Sequence, residues 1–308
     1  MKKAIIVLLA LLTLLVLALV VMVPEKKVQA GKADVVVTTF ALYDIARHLL
    51  GQEAEVAMLI PFGREVHTFE PTPQDMIRVQ KSRLFLYSGA GLEPWTEPFE
   101  SFGNAKDMSR YVRLREGGHA HHDEAGETHE EDRHSTDPHY WLDIDNMIAL
   151  VRGEEQLFTS AFPALDVPKL RERAAAYIKR LETLDALYRK RLSDCRLDTI
   201  VVSHNAFGYL AERYGFHVDA VTGLSPDTMP DARTMTALTD IVREHGIKTL
   251  FYESFVSDKL VASLATETGV RVDVLQPLAN ITADEIGADY FRLMNANLLK
   301  LHDAMECK

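Results

Sequence analysis

The feature that most constrains the fold is a regular alternation of short β-branched apolar runs with amphipathic stretches. In the first part of the chain, strands are predicted at 35–39, 56–60 and 84–88, with helices at 42–50 and 73–81. Strands separated by helical segments predict a parallel sheet with helices on both faces. Ligands bind at the carboxyl ends of the strands in such sheets.

The second half begins with a long helical pattern over 167–191 and then alternates again. Strands are predicted at 199–202, 218–221, 249–252 and 270–275, and helices at 205–214, 232–245, 258–268 and 283–305. The long helix has the length of a spacer between two lobes. We therefore predict an α/β fold of two doubly wound lobes, with an N-terminal lobe over 31–162, a linking helix within 163–195 and a C-terminal lobe over 196–308.

The N-terminus has the pattern of an export signal. Met1-Lys2-Lys3 precedes an apolar run over 4–23, so the protein is expected in the periplasm or at the cell surface. Residues 1–30 are interpreted as a signal peptide cut before Gly31, or as an uncleaved anchor held by the run, which is close to the roughly 20 residues that span a bilayer. Without residues 1–30 the formal net charge moves from −11 to −14, which disfavours nucleic acid as a partner.

Residues 115–138 interrupt the alternation with a tract of histidines and carboxylates. Its composition offers too few apolar residues to bury, so a disordered surface loop is predicted. Five histidines fall within sixteen residues, which is more than solvation alone requires: His119, His121, His122, His129 and His134. We interpret the tract as a weak, rapidly exchanging metal-binding loop, with a solvated acidic loop as the alternative.

Three other histidines follow or precede predicted strands, where loops meet the sheet edge. They are His67, His139 and His204. Imidazoles from separate loops are able to converge on one borderline-soft cation. Their spacing alone does not distinguish this from ordinary surface or core histidines, because they are too far apart to form a local motif.

The chain has only two cysteines, Cys195 and Cys307. This number excludes a disulfide-dense scaffold and a thiolate metal cluster, so a metal would be held by nitrogen and oxygen. Pairing of the two cysteines in an oxidising compartment and two separate thiols both stay open.

The contexts of the three histidines resemble the ligand motifs of the metal-binding solute-binding proteins of ABC importers for zinc and manganese. The segments are PFGREVHTFEPTP at 61–73, DPHYWLD at 137–143 and VSHNAFGYL at 202–210, with FYE at 251–253 similar to a further family segment. The resemblance covers essentially the whole chain after residue 30, in the family's order.

The resemblance implies two α/β lobes joined by one long rigid helix, with the metal in the cleft between them. It implies that His67, His139 and His204 are the ligands and that a membrane permease is the partner. Histidine at the third position and a histidine-rich loop are typical of the zinc-binding members, so Zn²⁺ is the expected transported ion. A manganese-binding protein of the same class is the alternative. We expect a monomer.

The fourth ligand is where the sequence departs from the family. Many relatives have an acidic ligand near 275–280, where this chain has Gln276 and Ala279. Glu253 is a candidate fourth ligand, or a residue that orients a ligand histidine. Gln276 and water are the other candidates.

Two rival functions belong to other classes. Three histidines plus water also form a catalytic zinc site, but the chain has no His-Glu-x-x-His, Gly-x-Ser-x-Gly or phosphate-loop motif, so we expect no enzyme. A surface adhesin is the second rival, favoured if the N-terminal run is retained as an anchor.

Overall fold

The first sheet is parallel and contains four strands: β1 (Val35–Val37), β2 (Val56–Met58), β3 (Leu84–Tyr87) and β4 (Ala105–Asp107). In the computed structural model, residues 33–117, 136–226, 232–253 and 259–308 are described. The strand order is β2-β1-β3-β4, with Val35 opposite both Val56 and Leu84. The predicted signal segment and the five histidines of the tract lie outside the described residues.

The helices of the first part surround this sheet. They are α1 (Phe40–Leu50), α2 (Pro73–Lys81), the short α3 (Glu97–Glu100) and α4 (Ile144–Ala161). Helix α2 begins at the predicted residue because Thr72 and Asp75 form a reciprocal capping box with Pro73 in the first turn. Strand β4 and helix α4 were not predicted from the sequence.

The long helix α5 (Val167–Arg191) has the predicted bounds. Asp166 caps its first turn by accepting a hydrogen bond from the backbone of Lys169. Its buried stripe consists of Leu170, Ala174, Tyr177, Leu181, Leu184 and Tyr188. At about 1.5 Å per residue, a helix of 25 residues is about 37 Å long. This length lets α5 contact α1 and α4 of the first part and the C-terminal helix, α9 (Tyr290–Ala304).

The second sheet repeats the topology of the first. Its strands are β5 (Thr199–His204), β6 (His217–Thr222), β7 (Thr249–Tyr252) and β8 (Arg271–Val274), all parallel, in the order β6-β5-β7-β8. The helices that accompany it are α6 (Gly208–Tyr214), α7 (Ala232–Glu244), α8 (Lys259–Thr268) and α9. The two-lobed α/β fold with a long helix is therefore confirmed.

The predicted helix at 283–305 is wrong as a single element. The structure has a 3-10 turn at Ala283–Glu285, and α9 begins only at Tyr290. Between them Gly287 has a φ of 97°, which glycine tolerates and other residues do not. Asp289 then caps α9 by accepting from the backbone of Arg292. The sequence predicted one helix because its apolar periodicity continues across the break at Gly287 and Asp289.

The largest hydrophobic cluster contains residues of both sheets, and hydrogen bonds outside the sheets join the two halves of the chain. This cluster includes Val35 of the first sheet and Phe251 of the second. Trp141 Nε1 donates to the carbonyl oxygen of Pro277 at 2.7 Å, and Tyr290 Oη donates to that of Trp141 at 2.8 Å. The proposed lobe boundaries at 162/163 and 195/196 stay predictions, because residues 33–308 form one compact unit.

A disulfide joins Cys195 to Cys307. The two residues also form an isolated antiparallel backbone bridge. The C-terminal end of the described chain is thereby attached to the segment that leads from α5 into β5. Among the described residues, none of the helices is both long and apolar enough to cross a membrane.

Candidate metal centre

Three imidazoles meet at one point between the two sheets. The candidate ligand atoms of His67, His139 and His204 all lie within 4.8 Å of one another. Nε2 of His204 is 3.4 Å from Nε2 of His139, and the ring centroids are 5.3 to 5.8 Å apart. His139 and His204 are buried, whereas His67 is partly exposed. Three nitrogen donors at this spacing suit a single transition-metal ion.

Each histidine is held by a different kind of element. His204 is the last residue of β5, paired with Thr222 of β6, at the carboxyl edge of the second sheet. His67 lies in the loop between β2 and α2. The prediction that His139 lies at a strand end is wrong, because it directly precedes the 3-10 turn Tyr140–Leu142 that leads into α4.

The backs of two rings face carboxylates. Oδ1 of Asp137 accepts from Nδ1 of His139 at 2.9 Å, and the carboxylate of Glu253 contacts Nδ1 of His204. A carboxylate only accepts, so each contact places the ring proton on Nδ1 and leaves the Nε2 lone pair directed at the other imidazoles. The arrangement prepares both rings to bind a cation through Nε2.

Burial keeps the rings of His67 and His204 uncharged. It lowers the pKa of His67 to about 3, with a further contribution from the neighbouring His139. Burial also lowers the pKa of His204 well below its ordinary value, and His139 and His67 add to the effect. Since only a neutral imidazole coordinates a metal, these two rings are ready to bind at neutral pH.

The two candidates for the fourth ligand are placed differently. Glu253 is 3% exposed and lines the same small cavity as the three histidines. Gln276 instead donates from its amide nitrogen to both carboxylate oxygens of Glu285, at 2.8 and 2.9 Å, and the residues lining the cavity do not include it. Glu253 is thus at the site, whereas the amide group of Gln276 is engaged beside it.

Sequence reasoning missed three residues that build this site. Asp137 orients His139, and Glu65 lines the cavity while its Oε1 accepts from the backbone of His67 at 3.1 Å. Asn280 donates to the carbonyl oxygens of Pro61 and Arg64 at 2.8 and 2.9 Å. It therefore fastens the His67 loop to the second half of the molecule. The sequence signal for two of them was a carboxylate two residues before a candidate ligand: Glu65 before His67, and Asp137 before His139.

The predicted bounds of the histidine-rich loop, 115–138, are too wide at both ends. Glu116 pairs with Thr136 in an isolated antiparallel bridge, and Arg115 forms an ion pair with Asp137 at 3.1 Å. The residues at both ends of the predicted loop are therefore folded. We call residues 115–117 and 136–138 the insertion base. The tract between them, with its histidines, lies outside the described residues, so its weak metal binding stays a prediction.

Residues 35–304 match the protein family described as zinc-uptake complex component A, periplasmic, or ZnuA. The chain belongs to the ZnuA family. This match confirms the resemblance of the three histidine motifs to zinc-type solute-binding proteins.

Two named relatives show how far the similarity to ZnuA proteins extends. The zinc-binding protein AdcA of Streptococcus pyogenes serotype M3 is 33% identical over 284 residues, which cover 87% of this chain and 55% of AdcA. The high-affinity zinc uptake system protein ZnuA of Bacillus subtilis is 32% identical over 291 residues, covering 91% of this chain and 90% of that protein. The chain thus spans about half the length of AdcA.

Solved structures have the same fold. The Zn(II)-bound ZnuA-like domain of Streptococcus pneumoniae AdcA superposes with a TM-score of 0.74 at 29% identity, covering 90% of this chain and 100% of that domain. The laminin-binding protein Lmb of Streptococcus agalactiae, described as a bifunctional protein with adhesin and metal transporting activity, gives 0.77 at 26% identity, covering 89% and 99%.

Proposed function

We propose that this chain binds zinc outside the cytoplasm through His67, His139 and His204 and delivers it to the membrane permease of an ABC-type importer. The observation that supports this most directly is the group of three convergent imidazoles, two of which contact carboxylates through Nδ1. The zinc-binding names of AdcA and of the Bacillus subtilis ZnuA agree with this proposal. Zinc is the transported ligand, not a resident cofactor.

The donor set favours zinc over manganese. Imidazole nitrogen suits zinc, whereas manganese prefers the harder carboxylate and carbonyl oxygens. We assign the fourth position to water, because the Glu253 carboxylate already contacts Nδ1 of His204. An exchangeable fourth ligand suits a carrier that must release its ion.

Release would follow from separation of the elements that carry the ligands. His67 belongs to the loop that follows β2 of the first sheet, and His204 is the last residue of β5 in the second. Such a movement would break the hydrogen bonds of Asn280 to Pro61 and Arg64 and the backbone hydrogen bond from Gly63 to Ile281. After such a separation, His67 and His139 would stay with the first sheet and His204 with the second, so zinc would lose part of its coordination.

The decisive experiment is the metal content of protein purified without added metal, followed by competition between zinc and manganese. One tightly bound zinc per chain supports the proposal, and equal binding of manganese contradicts it. Deletion of the gene tests delivery, since loss of zinc uptake is expected.

Adhesion is the second candidate function, because the laminin-binding protein Lmb has the same fold. Laminin binding by the purified chain, with zinc uptake unchanged on gene deletion, would favour it over transport. The hydrolase alternative would require the zinc-loaded protein to hydrolyse esters or peptides faster than free zinc does.

A further inference from the structure

One buried carboxylate connects the insertion base to a histidine of the metal centre. Asp137 is fully buried. Its Oδ1 accepts from the backbone nitrogen of His139 at 3.0 Å and from Nδ1 of the same residue at 2.9 Å. Its Oδ2 accepts from Nη1 of Arg115 at 3.1 Å. Arg115 and Asp137 stand on opposite sides of the insertion, so the carboxylate bridges its base and the site.

Helix α6 of the second lobe holds Arg115 in this position. The hydroxyl of Tyr209 accepts from the backbone nitrogen of Arg115 and donates to the backbone oxygen of Asp137, both at 2.9 Å. Nε of Arg115 lies 3.2 Å from Oε2 of Glu212. The guanidinium group is therefore fixed between a first-lobe carboxylate and second-lobe groups on α6.

Gly208 provides the space for this guanidinium group. A Cβ atom at Gly208 would lie 1.7 Å from Nη1 of Arg115 and 3.0 Å from Oδ2 of Asp137. Any side chain here would displace Arg115. The glycine at the first residue of α6 is thus explained by the approach of Arg115, since no positive φ requires it.

We propose that Arg115 is a positioning residue of the metal centre: it fixes one oxygen of Asp137 so that the other holds Nδ1 of His139 and Nε2 faces the ion. A buried carboxylate needs a charged partner, and the planar guanidinium group defines its orientation as well as its charge. This inference rests on the proposed function, because it requires the three-histidine site to bind zinc.

The expected effect is measurable as a change in zinc affinity. Loss of an outer partner of a ligating histidine typically lowers metal affinity by about 10- to 100-fold. Arg115 acts through Asp137, so we expect the lower end, about a tenfold increase in the zinc dissociation constant. Its effect should be local to His139.

The test compares Arg115→Gln with Arg113→Gln, an exposed arginine two residues earlier that undergoes the same charge change. A second variant, Gly208→Ala, displaces the guanidinium group without removing its charge. Zinc affinity is measured by competition with a chelator, and unfolding midpoints are measured on the metal-free proteins. Exchange of the His139 ring N–H proton in the zinc-loaded proteins is followed by NMR.

We expect Arg115→Gln and Gly208→Ala each to weaken zinc binding about tenfold and to speed ring-proton exchange, while Arg113→Gln changes neither. Both variants separate the buried Asp137 carboxylate from its charged partner, so their unfolding midpoints should fall, whereas that of Arg113→Gln should not. Faster exchange of the His139 ring proton in the folded, zinc-loaded proteins is the readout that separates positioning from a general loss of stability. If both variants bind zinc within twofold of the natural protein, the inference is wrong, although the proposed function stands. Failure of the natural protein to bind zinc would instead overturn the proposed function.

Discussion

Replacing Glu253 with glutamine tests how the second lobe prepares the site. The carboxylate contacts Nδ1 of His204 and is almost fully buried. Glutamine keeps the shape but removes the charge that holds the ring proton on Nδ1. The loss of such an orienting partner lowers metal affinity by about 10- to 100-fold, which corresponds to about 1.4 to 2.8 kcal/mol of binding free energy.

The assay is a zinc competition titration of Glu253→Gln, His204→Gln and a matched control, Glu267→Gln, which changes an exposed carboxylate on α8. The control should bind zinc as the natural protein does, and His204→Gln should lose more affinity than Glu253→Gln. X-ray absorption of the zinc-loaded variant should show an unchanged number of ligands. A loss of affinity as large as that of His204→Gln, with one oxygen fewer around zinc, would show that Glu253 is a ligand and does not act only through His204.

Three further outcomes are expected. The folded-state pKa of His67 is lowered to about 3. The metal-free protein should therefore keep its full stability above about pH 6.5 and lose about 3 kcal/mol of unfolding free energy by pH 4 through this group. Denaturant titrations of His67→Gln should show a shallower pH dependence of that free energy, and an identical dependence contradicts the prediction. Gln276→Asp should not tighten zinc binding, because it places a carboxylate beside Glu285 and not in the cavity; a lower dissociation constant would contradict this. Deletion of 119–134 should leave one tight zinc site in calorimetry and remove weaker ones, whereas loss of the tight site would show that a ligand lies in the insertion.

The fold was predictable wherever local chemistry marks the element boundaries. Helix α5 has an N-terminal Asp166, a proline in its first turn and an unbroken buried stripe, so its bounds could be read from the sequence. The break before α9 was missed because the apolar period continues through it. The break arises from the positive φ of Gly287 and from the capping of α9 by Asp289, and apolar periodicity reports neither of them.

The candidate site divides in the same way. The three histidines were proposed from motif resemblance, but their convergence depends on loops of both sheets and is a property of the folded chain. Asp137 and Glu253 act through contacts behind the rings, and spacing along the chain does not show which way a ring points. Gln276 was a reasonable candidate by position, yet its amide group is directed to Glu285.

X-ray absorption spectroscopy counts the atoms that bind zinc directly. It is applied to the chain loaded with one equivalent of zinc, as the natural protein and as His67→Gln, His139→Gln and His204→Gln. We expect three imidazole nitrogens and one oxygen around zinc at roughly 2.0 to 2.2 Å, with one imidazole fewer in each variant. A natural-protein shell dominated by oxygen, or an imidazole count unchanged in all three variants, would contradict it.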